Sequence, residues 1–316
     1  MRIVFMGTPE FAVPSLRHLM LNQYQVVAVY TQPDKPSGRG RAEVSSPLKR
    51  AAVAWEIPVV QPAKLKAAEV VSQLADLRPD VIVVAAFGQL LPQPILDIPR
   101  YGCINIHPSL LPKYRGASPI ATAILTGDEF TGVSLILMDR GLDTGPILAR
   151  AQIFISGQDT TGSLTANLSL IAAQLLQDTL VRWVRGELAP QPQNKAEITY
   201  SESITKEEGK IDWYLPVADI WRRVRAYQPW PGCYTQWQGK WLKIIEAVPL
   251  PWERAGEKGE VVELTLPSAP KAAFGVCAGD GVLGVCQVQL EGKRAMSAAE
   301  FLRGQRQFIG AILPLS

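Results

Sequence analysis

Short apolar runs recur through the first half of the chain at Arg2 to Met6, Val26 to Thr31, Val81 to Ala86, Cys103 to Ile106 and Val133 to Met138. Segments of helical period such as Ser46 to Trp55 lie between them. Alternation of this kind is satisfied by a parallel sheet with crossover helices, because each strand is buried on both faces and needs a helix to return the chain. From 161 to 186, Leu164, Leu168, Ile171, Leu175, Leu176, Leu180 and Val184 fall at helical spacing, and Gly186 stands where a helix stops. A long amphipathic helix is therefore expected to close an α/β domain over 1–188.

The polar, proline-bearing stretch Ala189-Pro190-Gln191-Pro192-Gln193-Asn194 opens an expected linker over 189–206. Beyond it the pattern changes. A helix over Val217 to Tyr227 precedes short alternating runs at Trp241 to Ile245, Gly259 to Leu266 and Gly281 to Leu290, broken by glycine and proline. These predict a smaller β-rich domain, a barrel, over 207–316. Two domains suit 316 residues, since single cores seldom grow past ~250 residues.

Composition removes several classes of function. With 47% hydrophobic and 19% charged residues the chain reads as globular. The run Met1 to Gly7 is too short for a signal peptide and Val81 to Phe87 could not span a bilayer. A cytoplasmic protein with no membrane partner is expected, acting as a monomer. Cys103, Cys233, Cys277 and Cys286 form no C-x-x-C pair, and His18 and His107 complete no metal-ligand spacing, so neither structural zinc nor a disulfide framework is expected. A net charge of +3 and a pI near 8.6 permit a nucleic-acid partner without requiring one.

The turn Gly7-Thr8-Pro9-Glu10-Phe11 after the first strand is expected to enter a helix capped by Thr8. It carries a single glycine where a dinucleotide fingerprint needs three, so no nicotinamide cofactor is expected. Ligands in open parallel sheets bind beyond the carboxyl ends of strands, which directs attention to the segments after Ala86, Ile106 and Met138. In Cys103-Ile104-Asn105-Ile106-His107, Asn105 and His107 lie two apart and share one face of a strand. Acyl transfer to an amine needs a donor for the developing oxyanion and a group that moves protons, and an amide with an imidazole supplies both. The loop Asp139-Arg140-Gly141-Leu142-Asp143-Thr144-Gly145-Pro146 can add a carboxylate that orients the imidazole and raises its pKa, Asp143 being the candidate. Alone, each element has a plainer use: the pair can satisfy buried backbone groups, and the loop can be a tight turn.

Together, Asn105-x-His107-x-Ser109-Leu110-Leu111-Pro112 and Gly141-Leu142-Asp143-Thr144-Gly145 resemble the signature of the folate-dependent formyltransferase superfamily. Phe5 to Phe11, Thr31 to Gly40 and Arg225 to Gly232 are similar to the branch that acts on methionyl-tRNA. The resemblance implies a Rossmann-like domain with a mostly parallel sheet, followed by an OB-like barrel that helps to bind tRNA. It further implies that Asn105 bonds the formyl oxygen, His107 moves the proton and stabilises the oxyanion, and Asp143 orients the imidazole. Ser109, Leu110, Leu111 and Pro112 would shape a folate site with Phe87, Gly88, Leu90, Leu91 and Asp139. The implied cosubstrate is 10-formyltetrahydrofolate, without metal, and the implied acceptor is methionyl initiator tRNA. Lys35, Arg39 and Arg41, in a basic segment reaching Lys49 and Arg50, would touch that tRNA. Two other readings stand beside it: a superfamily member that formylates glycinamide ribonucleotide or an amino sugar, and a noncatalytic tRNA- or folate-binding protein on the same fold.

Overall fold

The computed structural model describes residues 1–37, 42–251, 256–264, 269–305 and 307–315. Arg39 and Arg41 therefore lie outside the described residues. The chain divides into two compact units. The first takes Met1–Pro119, Phe130–Phe154 and Leu164–Glu202; the second takes Ile120–Glu129, Ile155–Ser163 and Ser203–Ser316.

A sheet of seven strands forms the first unit, in the order Ile147–Phe154, Phe130–Leu137, Cys103–His107, Val81–Ala85, Arg2–Gly7, Gln25–Tyr30 and Val59–Val60. Five of these, from Cys103–His107 to Val59–Val60, pair in parallel, as their near-continuous apolar sequences require. Val81–Ala85 is buried at every position. Phe130–Leu137 runs against them and Ile147–Phe154 pairs antiparallel with it, so the sheet is mixed at one edge. Ile147–Phe154 buries its first two residues and from Ala149 on alternates half-buried and exposed ones, which is why apolar run length does not reveal it.

The long helix spans Thr161–Val184 and buries Leu164, Leu168, Leu176 and Leu180. Trp183 Nε1 donates to Tyr101 O at 2.8 Å near its end, and Gly186 follows in the left-handed region at φ 71°. The helix Pro47–Ala54 is capped by Ser46, whose Oγ accepts from Lys49 N at 3.1 Å. Thr8 plays no such role. The helix Val13–Leu21 begins later, and Thr8 Oγ1 instead donates to Phe87 O and accepts from Gln32 N, both at 3.3 Å. The first turn is thus tied to the loop after Val81–Ala85.

The second unit carries a curled antiparallel sheet, a half-barrel ordered Cys233–Trp237, Lys240–Leu250, Val282–Leu290, Phe274–Cys277 and Val261–Glu263, with Met296–Ser297 on Val282–Leu290. Irregular register at Ile244 to Ala247 marks where the long strand bends. The helix Val217–Ala226 buries Val217, Ile220 and Val224. Phe274, Phe301 and Phe308 meet with ring centroids 4.9 to 6.2 Å apart and form an aromatic core. Trp213 and Tyr227 are buried, whereas Trp230 and Trp241 are exposed.

Candidate active site

Asn105 and His107 project from the strand Cys103–His107 as the two-residue period requires, Asn105 half-buried and His107 buried. Asp143 reaches them by a route that strand order alone would not suggest. Its preceding strand, Phe130–Leu137, is antiparallel to Cys103–His107 with Leu137 opposite Ile104. The 138–146 loop therefore leaves the carboxyl end of its own strand beside the amino end of Cys103–His107, not beyond that strand's carboxyl end. It folds back over the face that Asn105 and His107 share, closing with Leu137 N to Pro146 O at 2.9 Å.

The three side chains form one connected group. Asn105 Nδ2 donates to Asp143 Oδ1 at 3.1 Å, and Gly116 N donates to Asp143 Oδ2 at 2.9 Å. The same Oδ2 stands 3.5 Å from His107 Nδ1. His107 Nε2 lies 2.9 Å from Tyr114 O. A carbonyl oxygen only accepts, so Nε2 carries a proton and, in the neutral ring, Nδ1 carries the lone pair. The basic nitrogen thus faces the carboxylate.

Burial pushes the His107 pKa below its ordinary value, against the opposing pull of Asp143 and the Tyr114 carbonyl. This reverses the expected direction. A carboxylate beside an imidazole does raise its pKa, but a fully enclosed ring loses more hydration than one partly shared charge restores. The resting imidazole is neutral and able to take a proton.

These residues line a cavity of about 520 Å³ together with Val84, Phe87, Gly88, Leu90, Met138 and Leu142. The size and apolar walls suit a small organic ligand. Leu90 is 69% exposed and Leu142 52% exposed at its margin, and apolar surface left open beside polar groups marks a binding site. Gln89 fixes the Phe87 to Leu90 loop, accepting from Leu65 N at 3.0 Å and donating to Pro62 O at 3.1 Å. Among the described residues no group of three or more His, Cys, Asp and Glu could hold a metal ion, and no helix is long and apolar enough to cross a membrane.

The residues expected to form the folate site divide into two groups. Phe87, Gly88 and Leu90 line the cavity. Leu91 joins the core of the first unit, and Leu111 packs with Ile136 and Ile147. Ser109, Leu110, Leu111 and Pro112 are absent from the cavity wall. Ser109 is buried and donates to Lys113 O at 2.6 Å, while Ser134 Oγ bridges Ser109 O at 2.7 Å and Leu111 N at 2.9 Å. This segment shapes the turn that carries Tyr114 and Gly116 to the site. Asp139 bonds Gly141 N at 2.9 Å and Thr144 Oγ1, stiffening the 139–146 loop from within.

Lys35 belongs to the strand Lys35–Ser37, paired with Ala42–Val44. At the foot of this hairpin, hydrogen bonds from Lys49 Nζ at 2.5 Å and Gln61 Nε2 at 2.8 Å hold the Asp34 carboxyl below its ordinary pKa. Lys49 is therefore engaged within the protein, and Arg50 donates to Ser45 O at 2.6 Å. Contacts made through the backbone of Tyr114 and Gly116, and those of Arg115 and Gln193, carry no sequence motif and were not among the expected site residues.

The formyl transferase family model matches residues 1–180, and that of the formyl transferase C-terminal domain matches 203–306. Methionyl-tRNA formyltransferase of Dehalococcoides mccartyi (strain 195) is 46% identical over 313 residues, covering 99% of this chain and 98% of its own. That of Magnetococcus marinus is 46% identical over 303 residues, with 96% and 95% covered. Among solved structures, an N-formyltransferase of Helicobacter canadensis with folinic acid and dTDP-3-aminofucose aligns at TM-score 0.66 and 21% identity, over 91% of this chain and 99% of that one. HypX of Aquifex aeolicus with tetrahydrofolic acid aligns at 0.64 and 19%, over 98% of this chain but 48% of that one. Identities this low carry the fold alone. The curated relatives carry more, since each alignment covers nearly the whole of both chains, and the chain belongs to the methionyl-tRNA formyltransferase family.

Proposed function

We propose that the chain transfers the formyl group of 10-formyltetrahydrofolate to the α-amino group of methionyl initiator tRNA, giving N-formylmethionyl-tRNA in the compartment where translation starts. The observation that carries the chemistry is the joined Asn105, His107 and Asp143 group opening on an apolar-walled cavity. Full-length likeness to methionyl-tRNA formyltransferases carries the choice of amine.

The folate would lie against Phe87, Gly88, Leu90 and Leu142, presenting its N10-formyl group to Asn105. One Nδ2 hydrogen of Asn105 is held by Asp143 Oδ1; the second meets the formyl oxygen. The neutral α-amino nitrogen attacks the formyl carbon and the carbonyl electron pair becomes an oxyanion, stabilised where preorganised donors already point. The proton shed by the attacking nitrogen enters the His107 and Asp143 pair, since Nδ1 is the basic site and the carboxylate beside it offsets the charge that arrives. The bond from carbon to N10 then breaks, N10 takes a proton from the pair, and tetrahydrofolate leaves. No metal or nicotinamide enters these steps. Lys35, Arg39 and Arg41 would contact phosphates of the tRNA, and the second unit would add further contacts.

Asn105→Ala, His107→Ala and Asp143→Ala should each lower kcat by about 10²- to 10⁴-fold with thermal melting still cooperative. Wild-type turnover in all three would remove these residues from the mechanism.

A further inference from the structure

Between the long helix and Ser203, the segment 191–201 does more than join two parts of the chain. Gln191 exchanges both backbone hydrogen bonds with Ile147 at 2.8 Å, directly after the Asp139 to Pro146 loop. Gln193 Nε2 donates to Asp143 O at 2.8 Å and to Gly145 O at 2.7 Å. Its Oε1 accepts from Arg115 Nε at 3.2 Å and from a terminal Arg115 nitrogen at 2.8 Å. Farther on, Tyr200–Ser201 pairs in parallel with Arg115–Gly116. Thr199 accepts from Tyr114 N through its hydroxyl at 2.9 Å and from Arg115 N through its carbonyl at 3.0 Å.

These bonds end either on the loop that carries Asp143, at Asp143, Gly145 and Ile147, or on the turn Tyr114 to Gly116 that meets His107 and Asp143. Tyr114 supplies the carbonyl that fixes the His107 tautomer, and Gly116 supplies the N–H that holds Asp143 Oδ2. Arg115 lies between them, buried, its guanidinium turned to Gln193. Asp143 itself sits in the left-handed region at φ 54°. A residue with a side chain holds that backbone only when its surroundings fix it, and Gln193 grips the Asp143 carbonyl and that of Gly145 just after it.

We infer that Gln193, through its fork with Arg115, is a positioning residue for formyl transfer: one amide side chain sets the loop that carries Asp143 against the turn that aligns His107. Gln193 touches no substrate. It converts the 191–201 segment into a strap across both halves of the proton-transfer pair, holding Nδ1 and Oδ2 within reach while the cavity remains open. The inference rests on the proposed formyl transfer, and its test separates the two.

The experiment compares wild type, Gln193→Ala and Gln193→Glu in single-turnover formyl transfer from 10-formyltetrahydrofolate to methionyl initiator tRNA, with KM for both substrates and an NMR titration of the His107 imidazole. Gln193→Ala loses the grip on the loop and the acceptor for Arg115. Gln193→Glu keeps the acceptor and loses the grip. The expected result is a fall in kcat of about 10- to 100-fold in both variants, the size expected when an oriented group is misplaced by about 1 Å. Both KM values should stay within about twofold, and the His107 titration should be displaced from its wild-type position. A strap of merely structural use would lower the melting temperature while leaving kcat and the titration unchanged below it, and that result overturns the inference. Inactive wild type would instead overturn the proposed function. If Gln193→Ala fails to fold, Gln193→Glu decides by the same readings.

Discussion

The chemistry of this site turns on which atom of one imidazole is basic. Tyr114 O fixes the proton on Nε2, so protonation occurs at Nδ1, where Asp143 waits 3.5 Å away. Burial lowers the His107 pKa overall. With two histidines in the chain, an NMR titration distinguishes them directly. His107 should titrate below its ordinary ~6.5, and Asp143→Asn should move it lower still by removing the influence that raises it; titration above ~6.5 would contradict the assignment. The folded-state pKa lies below the unfolded one, so between them the unfolded chain binds more protons and stability rises with pH. The contribution from His107 is therefore complete above ~6.5 and declines as pH falls toward the folded value. Residue types made Asn105, His107 and Asp143 candidates in the sequence, but each alone had a plainer use, and it was the resemblance of the two motifs together that singled them out. The Tyr114 carbonyl and the Gly116 N–H were not legible, since every residue owns such groups and only the fold chooses among them. The pKa direction was hidden for a related reason: it depends on enclosure.

Among the elements, strand and helix periodicity was read with ends off by one to three residues, as with Phe130–Leu137 and Pro47–Ala54. Strand direction was less visible. Nothing in Val133 to Met138 announces that it runs against its neighbour, yet that reversal carries Asp143 over the sheet. The helix Thr161–Val184 tests whether packing and chemistry separate. Leu176 is fully buried, so Leu176→Ala should destabilise the fold by about 2–5 kcal/mol, measured from the denaturation midpoint, with kcat unchanged well below the transition. A selective loss of kcat would place this helix in the catalytic machinery. The stretch 189–194 looks like a spacer because proline and polar residues lack periodicity. Its hydrogen bonds to Asp143, Gly145 and Arg115 are individual contacts, and periodicity cannot register those.

At the scale of the whole chain, the alternation in the first half and the turn-broken strands in the second were enough to give an α/β sheet followed by a β-rich domain, expected as a barrel and found as a curled half-barrel. The exchange of segments was beyond such reasoning: Ile120–Glu129 and Ile155–Ser163 cluster with the second unit, though no change in composition marks them. Choice of substrate is also a property of the whole chain. The proposed triad does not by itself name the amine, so selection would come from surfaces that no catalytic motif describes. The decisive measurement is single-turnover transfer of labelled formyl from 10-formyltetrahydrofolate, with methionyl initiator tRNA, elongator methionyl-tRNA, glycinamide ribonucleotide and an amino-sugar nucleotide present together. Label is expected on the initiator tRNA and to disappear with His107→Ala. Label on a small amine would keep the chemistry and reject the acceptor, and retained folate binding without any transfer would reject the enzyme.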